Sequence, residues 1–425
     1  MNKLREDLVY ETFGLSELPK DFYEREVIIT KDDITYITGY SGSGKSYLLN
    51  LFLNHTNATT LKEPVNKSTA IINIIGQSFT DAINLLSQVG LSEAYIYLKN
   101  YTELSDGQKF RFKLAKALES NPAIIVVDEF LTNLDRLTAK VVAYNLQKIC
   151  RRKKIKLVVA TPHDDLVSSL SPGQLIILDL NGTYKNIINK NPLPKLDFIE
   201  ELTLAEGDYS HYLSLKKYHY FPDASYSKYD PKYYIIKNKN DVLGVSVFIR
   251  PYSDKWNNIT LFKEVNELLR VNARIIVHPA YRGIGLTKSL LNVQNMELNC
   301  TYVESRTALG RFVPFYLSSG FTAIENPTTY KSLTRKELEK SLVNNSNLTL
   351  NDSLKIKELA LEILLSEYYY YRDVVNLPKL SNEDSSLLEN IFNSIVMKMK
   401  IEDLLEQTKY FPMASFVIKK QAAIN

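Results

Sequence analysis

The sequence predicts an α/β protein of more than one domain. Three observations carry that prediction. A β-rich run leads through a glycine loop into a helix-like stretch at ITYITGYSGSGKSYLLN (34–50), and the same passage recurs at ARIIVHPAYRGIGLTKSLLN (273–292). The chain of 425 residues also exceeds what one hydrophobic core usually serves.

Composition narrows the class. With 45% apolar and 24% charged residues the chain reads as folded rather than disordered. No apolar run approaches the roughly 18 residues a membrane helix needs, so no membrane contact is expected. The opening MNKLREDLVYETFG lacks the apolar core of a signal peptide. Cys150 and Cys300 are the only cysteines, which argues against a disulfide framework and for a reducing, cytoplasmic setting. The net charge of +4 is uneven: residues 211–330 hold 15 Lys/Arg against 9 Asp/Glu, a surplus of +6, whereas 331–425 balance and 1–210 carry −2. Such a basic middle suits a polyanion or a phosphorylated cofactor.

In the first passage Gly39 and Gly44 bracket Ser41, Gly42 and Ser43, and Lys45-Ser46 follow at the helix start. Glycines let backbone N–H groups turn inward around phosphates, and a helix N-terminus adds positive potential. Lys45 would reach the β- and γ-phosphates of ATP and Ser46 would hold Mg²⁺. AIIVVDEF (123–130) is a buried-strand run ending in two carboxylates, Asp128 for Mg²⁺ and Glu129 to polarise the attacking water. KLVVATPH (156–163) is a second such strand, ending at His163, and Gln77 follows the strand-like IINIIG.

LSDGQKFRFKLAKAL (104–118) gives this set its character. The order of phosphate loop, Gln77, LSDGQ, Asp128-Glu129, LTNLD (131–135) and His163 resembles the ATP-binding-cassette (ABC) superfamily over roughly residues 1–190. The resemblance implies that His163 contacts the γ-phosphate and that Gln77 is a further nucleotide and Mg²⁺ contact. It also implies a head-to-tail, ATP-dependent homodimer in which Ser105, Gly107 and Gln108 of one subunit cap ATP held at Lys45 of the other. Asp106 departs from the family, which usually has glycine there.

After a polar, Asn/Pro-rich stretch assigned as a linker (191–210), YYIIK and DVLGVSVFIRP suggest antiparallel strands. Then come ARIIV, the loop HPAYRGIG and a helix start. Arg282-Gly283-Ile284-Gly285-Leu286-Thr287, entered from Val277, resembles the coenzyme A pyrophosphate loop of GNAT-fold acetyltransferases. FVPFYLSSGF (312–321) resembles that family's Phe-Tyr-x-x-x-Gly-Phe ending. The resemblance implies an acyltransferase domain over 211–330 that uses acetyl-CoA or a related donor, with Tyr316 as general acid. His219 and Tyr220 in LKKYHYFPDAS resemble the Mom-like branch of that fold, phage-type enzymes that modify the exocyclic amine of adenine in DNA. His219 and Glu304 are the candidate bases, and Arg274 and Arg306 are positional or phosphate-binding. Residues 331–425, with SLKIKELALEILLSEYYYYRDVV and SLLENIFNSIVMKMKIEDLLEQ, predict a small helical C-terminal region.

The expectation is therefore an ABC-type P-loop ATPase followed by a GNAT-like acyltransferase domain. Together they would modify a nucleic-acid base, DNA ahead of RNA. The alternatives are an RNA (tRNA) N-acetyltransferase, a non-catalytic ABC-type DNA clamp whose GNAT-like domain only docks, and a transporter ATPase with a separate membrane subunit.

Overall fold

The computed structural model describes residues 8–10, 12–14, 28–30, 33–181, 183–219, 225–324, 350–400 and 414–420. They form two units. The first comprises 1–76 and 99–196, the second 77–98 and 197–425. The expected division into consecutive blocks is thus interrupted, because 77–98 breaks the first unit in sequence and packs in the second.

In chain order the elements up to Ile188 are β1 (Ile34–Gly39), α1 (Lys45–Asn54), β2 (Thr59–Thr60), α2 (Phe79–Gln88), α3 (Ala94–Tyr97), α4 (Asp106–Glu119), β3 (Ile124–Val127), α5 (Arg136–Lys153), β4 (Lys156–Ala160), α6 (Val167–Leu170), β5 (Gln174–Leu178) and β6 (Tyr184–Ile188). The first unit's sheet has the order β2-β3-β4-β1-β5-β6. It is parallel except for β6, which runs antiparallel to β5. β1 and β4 are buried without alternation because both faces are covered. Ile37, Leu49, Val126, Val158 and Ile176 pack together at the core. Asp135 fixes the start of α5 by accepting the Thr138 N–H at 2.9 Å, and Lys154 ends it in the left-handed conformation.

The second unit adds β7 (Leu202–Gly207), α7 (Tyr209–Leu215), β8 (Lys232–Asn238), β9 (Asp241–Ile249), α8 (Thr260–Leu268), β10 (Leu269–Val277), α9 (Leu286–Leu290), β11 (Tyr302–Thr307), β12 (Thr322–Ile324), α10 (Leu350–Val374), α11 (Asn382–Lys398) and β13 (Ala414–Lys419). Its sheet has the order β12-β13-β11-β10-β9-β8-β7. Neighbours are antiparallel except β10 and β11, which pair in parallel. Side chains alternate between two faces: Tyr234, Phe248 and Val303 pack with Tyr316 and Phe416, while Tyr233, Ile235, Val245 and Val247 pack with Tyr212 and Tyr226.

Three sequence boundaries move. The sheet begins at Leu202, inside the stretch assigned as a linker. The stretch expected to be a helical C-terminal region contains α10 and α11 but also β13, which inserts between β11 and β12. α2 and α3, expected within the ATPase, belong to the second unit. Strand β13 escaped sequence reading because ASFVIK is a short apolar run that periodicity cannot place.

Two buried polar groups organise the sheet. Arg270, fully buried, donates to the Asp230 carboxylate at 2.5 Å and to Leu298 O at 2.7 Å. β10 carries a bulge between Asn272 and Arg274, and its ladder with β11 stops at Val271–Glu304 although both strands run on. Just past that point the Tyr316 hydroxyl accepts from Ser305 Oγ at 2.5 Å and donates to Asn272 Oδ1 at 2.8 Å, while Asn272 Nδ2 donates to Ser246 Oγ at 2.8 Å.

Asp230→Ala would leave the Arg270 guanidinium buried without its acid. A loss of about 3 kcal/mol is expected in urea unfolding, low in the range for a broken buried pair because Asp230 itself is partly exposed. Burial pushes the Asp230 carboxyl up, but hydrogen bonds and charge from Arg270 and Arg250 outweigh it and hold it below the ordinary range. Its contribution is therefore present above about pH 4 and lost as pH falls through the depressed folded value. The acid-side loss of stability should be smaller in Asp230→Ala than in the unchanged protein.

Candidate functional site

The first constellation sits where the parallel strands of the first unit end. β1 delivers Gly39 and α1 begins at Lys45, with Gly44 as its N-cap at φ +88°. Gly39 has φ +140°, and a Cβ there would lie 2.1 Å from Leu178 O, so no side chain fits. Gly42 also has positive φ, and Ser41, Gly42 and Ser46 are exposed while Ser43 is buried. The loop thus presents backbone N–H groups at the start of a ten-residue helix, an anion cradle. Lys45 Nζ donates to Gly39 O at 2.9 Å and Tyr40 O at 2.6 Å, spanning the loop from within. Partial burial lowers its pKa and the Asp128 carboxylate opposes that shift.

β3 and β4 bring the acids and the histidine to the same end. Register pairs Ile37 with Ala160 and Val127 with Val159, so Gly39, Asp128 and His163 follow strands that end side by side. Phe130 N–H donates to Ala160 O at 2.8 Å, and the Tyr36 hydroxyl donates to His163 O at 2.7 Å. Asp128 and Glu129 are exposed, and Asp128 Oδ1 accepts the Glu129 N–H at 2.9 Å. Glu129 and Leu131 both hold positive φ, at 48° and 56°, which re-aims the chain directly after the strand. This arrangement can cradle a polyphosphate, place a divalent cation between Ser46 and Asp128, and aim a carboxylate at a water.

Ser105 caps α4 through a reciprocal box: Ser105 Oγ accepts the Gln108 N–H at 3.4 Å and Gln108 Oε1 accepts the Ser105 N–H at 3.1 Å. Ser105 and Asp106 are exposed, and Gly107 and Gln108 partly so. Asp106 lies 3.7 Å from Lys109 in the first turn, where a carboxylate suits the helix dipole. Gln77 is exposed and opens the 77–98 segment of the second unit.

No protein-family model matches the chain. Among curated proteins it is similar to an aliphatic sulfonates import ATP-binding protein of Agrobacterium fabrum, at 26% identity over 217 residues, 43% of this chain and 76% of that one. It is also similar to an ABC transporter ATP-binding protein of Bacillus subtilis, at 29% over 192 residues, 36% of this chain and 82% of that one. Among solved structures, a dimeric ATP-binding cassette in a post-hydrolysis state, bound to ADP and phosphate, matches at 20% identity and a TM-score of 0.32, covering 38% of this chain and 88% of that one. Roughly the N-terminal 40% of this chain is an ABC-type nucleotide-binding cassette. In the cassette Gly39–Ser46, Asp128, Glu129 and His163 are the residues that the fold brings together.

The second constellation surrounds the glycine loop of the second unit. Val277 ends β10, Gly283 and Gly285 have φ of +86° and +99°, and Gly285 caps α9. Ile284 and Leu286 anchor the loop in the core, while Gly283 and Gly285 are exposed and Thr287 partly so. Nothing lies within 4 Å of where a Gly285 side chain would start. Beside it runs a cleft of about 520 Å³ lined by Leu202, Leu204, Ile236, Gly285, Lys288 and Asn292.

Several expectations about this second set need correction. Arg282 does not face the loop opening: its Nη1 donates to Glu93 Oε1 at 2.9 Å and its Nε to Val277 O at 3.1 Å. α9 runs for five residues only, which limits the dipole it can offer a phosphate. Tyr316 is 2% exposed, and its hydroxyl is engaged by Ser305 and Asn272. Glu304 is fully buried, with Tyr370 and Arg306 donating to its Oε1 at 3.0 Å each, and burial pushes its carboxyl up despite Arg306. His219 is lowered to about 4 by burial and by the Arg274 charge, so it is neutral at pH 7 and a weaker base than an ordinary imidazole. Tyr220 lies outside the described residues. Arg274 stacks over Tyr226, its guanidinium 5.6 Å from the ring centroid. Sequence reasoning missed Glu93, which no local pattern marks, and Asn272, whose signal was a lone amide inside the apolar strand LRVNARIIV.

Lys45→Ala is expected to abolish nucleotide binding, checked with a fluorescent ATP analogue. Glu129→Gln should keep binding and lower phosphate release by about 100-fold or more, since the group that would polarise water is lost while the cradle stays intact.

Proposed function

We propose that this chain is an ATP hydrolase joined to a transferase that places a small acyl-type group on a base amine of nucleic acid, DNA ahead of RNA. The cassette side rests on the constellation of Lys45, Ser46, Asp128, Glu129 and His163 and on the similarity to cassette ATPases. In this reading two copies meet head to tail on ATP, Ser105 and Gly107 of each closing the phosphate loop of the other.

The transferase side is carried by one observation. Among the described residues a mostly antiparallel sheet has a single parallel pair, β10–β11; that pair is joined through the Gly283–Gly285 loop and stops after three residues. This is the arrangement a GNAT-type fold needs: a slot between parting strands and backbone amides at the end of β10 for the pyrophosphate of an acyl-CoA. The amine attacks the thioester carbonyl, the C–N bond forms, the C–S bond breaks and the thiolate leaves. An amine becomes strongly acidic once it has attacked, so even the neutral His219 imidazole, held near 4, can take its proton. Closing of the cassette dimer would supply the work of unstacking a base, a few kcal/mol in order of magnitude. Among the described residues no helix is long and apolar enough to cross a membrane.

A second reading, a non-catalytic DNA clamp, is favoured by the engaged Tyr316 hydroxyl and the Arg282–Glu93 pair, both of which leave the slot without its expected side chains.

Nucleosides from cells expressing the protein should include a base carrying added acyl mass, detected by mass spectrometry. Gly285→Glu should remove that product and the retention of acetyl-CoA while leaving ATP hydrolysis largely intact. If base mass is unchanged in cells expressing the unaltered protein, and the purified protein neither retains nor turns over acetyl-CoA, the clamp reading replaces the transferase. Tyr316→Phe should cost about 1–3 kcal/mol in stability, because Ser305 and Asn272 lose a buried partner. If Tyr316 only holds the strands, the variant that remains folded keeps its transfer rate.

Affinity for duplex DNA should fall about tenfold or more between about 50 and 200 mM salt, as expected when lysines displace counterions from phosphates. Fluorescence anisotropy checks this, and a flat salt profile would count against a nucleic-acid substrate.

A further inference from the structure

We infer that the first unit holds a second ligand site, at the end of its sheet opposite the phosphate loop: a cavity that takes a small carboxylate with an apolar body. The inference does not depend on what either glycine loop binds. The cavity measures about 820 Å³, and its lining residues all lie in the first unit. β3 and β4 start beside it at Ile124 and Lys156, which pair in register, and α1 reaches it through Phe52 and the C-cap His55. The same elements lead to Asp128, His163 and Lys45 at their other ends. α1 alone, at ten residues, puts about 15 Å between the cavity and the phosphate loop, so the two sites are separate.

The walls are apolar. Ile29, Phe52, Ala123, Ile124 and Ile155 supply most of them. Cys150, fully buried, belongs with these, because burial pushes its thiol up to about 12 and leaves it neutral. Small organic ligands occupy concave sites of about 300–1,000 Å³ with apolar walls and a few placed polar groups, and this cavity has that size and make-up. Water gains little from such walls, since it needs two to four polar partners, whereas a hydrocarbon body buries against them favourably.

The charged groups select the ligand. Among the described lining residues Asp33 is the one acid, and Arg151 takes it: Nε and Nη2 donate to its two carboxylate oxygens at 2.9 and 3.1 Å. Lys154 and Lys156 remain as the positive charge of the lining. Lys156 is only 7% exposed; its ammonium lies 4.7 Å from the centre of the Phe52 ring and donates to Thr30 O. Those two neutral groups orient the ammonium and leave its charge in place. Lys154 follows α5 in the left-handed conformation and stands exposed, with His55, at the rim. Beside Phe52 and Ile155 the local dielectric is low, which strengthens the attraction of both lysines for a carboxylate. A polyphosphate fits less well, because the described lining holds no glycine turn to supply backbone N–H groups.

The test is titration calorimetry on the full chain, with octanoate as the probe and 1-octanol as its uncharged match. Octanoate should bind with a Kd of about 1 mM or tighter, and about tenfold or more tighter than 1-octanol, as a partly screened charge contact gives. Lys156→Met keeps the apolar stem and removes the charge, so it should bring the two affinities to within about threefold of each other. Ala123→Trp fills the cavity from an exposed position on its wall and should abolish binding of both probes. A cooperative thermal melt identifies the variants that fold. If neither probe binds, if 1-octanol binds the unaltered protein as tightly as octanoate, if folded Lys156→Met keeps the preference for the acid, or if folded Ala123→Trp binds octanoate as before, the site is wrong. Should Ala123→Trp fail to fold, the lysine variants decide. Should Lys156→Met fail to fold, the exposed Lys154→Met takes its place: a fall in octanoate affinity of about threefold or more supports the proposal and a smaller one overturns it.

Discussion

A chain that leaves one folded unit at Gln77 and returns at Lys99 must hold the two ends of its excursion together. The Ile71–Lys99 hydrogen bond and the Ala70–Asn100 bridge do so. That closure lets the sheet β2-β3-β4-β1-β5-β6 form as though the excursion were absent, and it keeps α4 in register with the strands that carry the phosphate loop and the carboxylates. It also lets the Glu93 carboxylate meet Arg282, far away in sequence. The discontinuity therefore explains both how the cassette remains whole and why the glycine loop of the second unit has an acidic neighbour.

The second unit shows how charge count and charge placement part ways. Its arginines are largely internal: Arg270 and Arg250 share Asp230, Arg306 lies between Glu304 and Glu367, Arg282 meets Glu93, and Arg372 meets Glu264. Buried guanidinium groups with acid partners hold strands and helices together and offer little field outside. The exposed positive charge is carried instead by lysines, among them Lys217, Lys228, Lys255 and Lys288. A polyanion would meet flexible point charges, which suits backbone attraction better than bidentate base reading.

The aromatic and polar packing around the parting of β10 and β11 gives that sheet its centre. Tyr316 stacks on Phe416 at 5.2 Å and bridges Ser305 to Asn272. On the other face Tyr370 and Arg306 enclose the Glu304 carboxylate, and α10 contributes Tyr368 and Tyr371 to the same core as Phe262 and Phe392. The tyrosine run 368–371 serves mainly packing: Tyr368, Tyr370 and Tyr371 are buried and Tyr369 is the exposed member.

Local sequence by itself determined the parts of this protein whose chemistry is contiguous. Gly39–Ser46 sets a phosphate cradle because glycines, a lysine and a helix start lie within eight residues. IIVVDE and LVVATPH mark buried strands that end in functional side chains, and LSDGQ carries its own capping box. Only the tertiary structure decided which distant groups meet. It showed that Leu202–Gly207 and Ala414–Lys419 complete one sheet, that 77–98 belongs with the second unit, and that Arg282, Glu304 and Tyr316 face buried partners rather than an open slot. Pairing of distant strands and burial of a charge depend on what the rest of the chain brings alongside, and no local pattern in Glu93 or Arg282 records that they will neutralise each other.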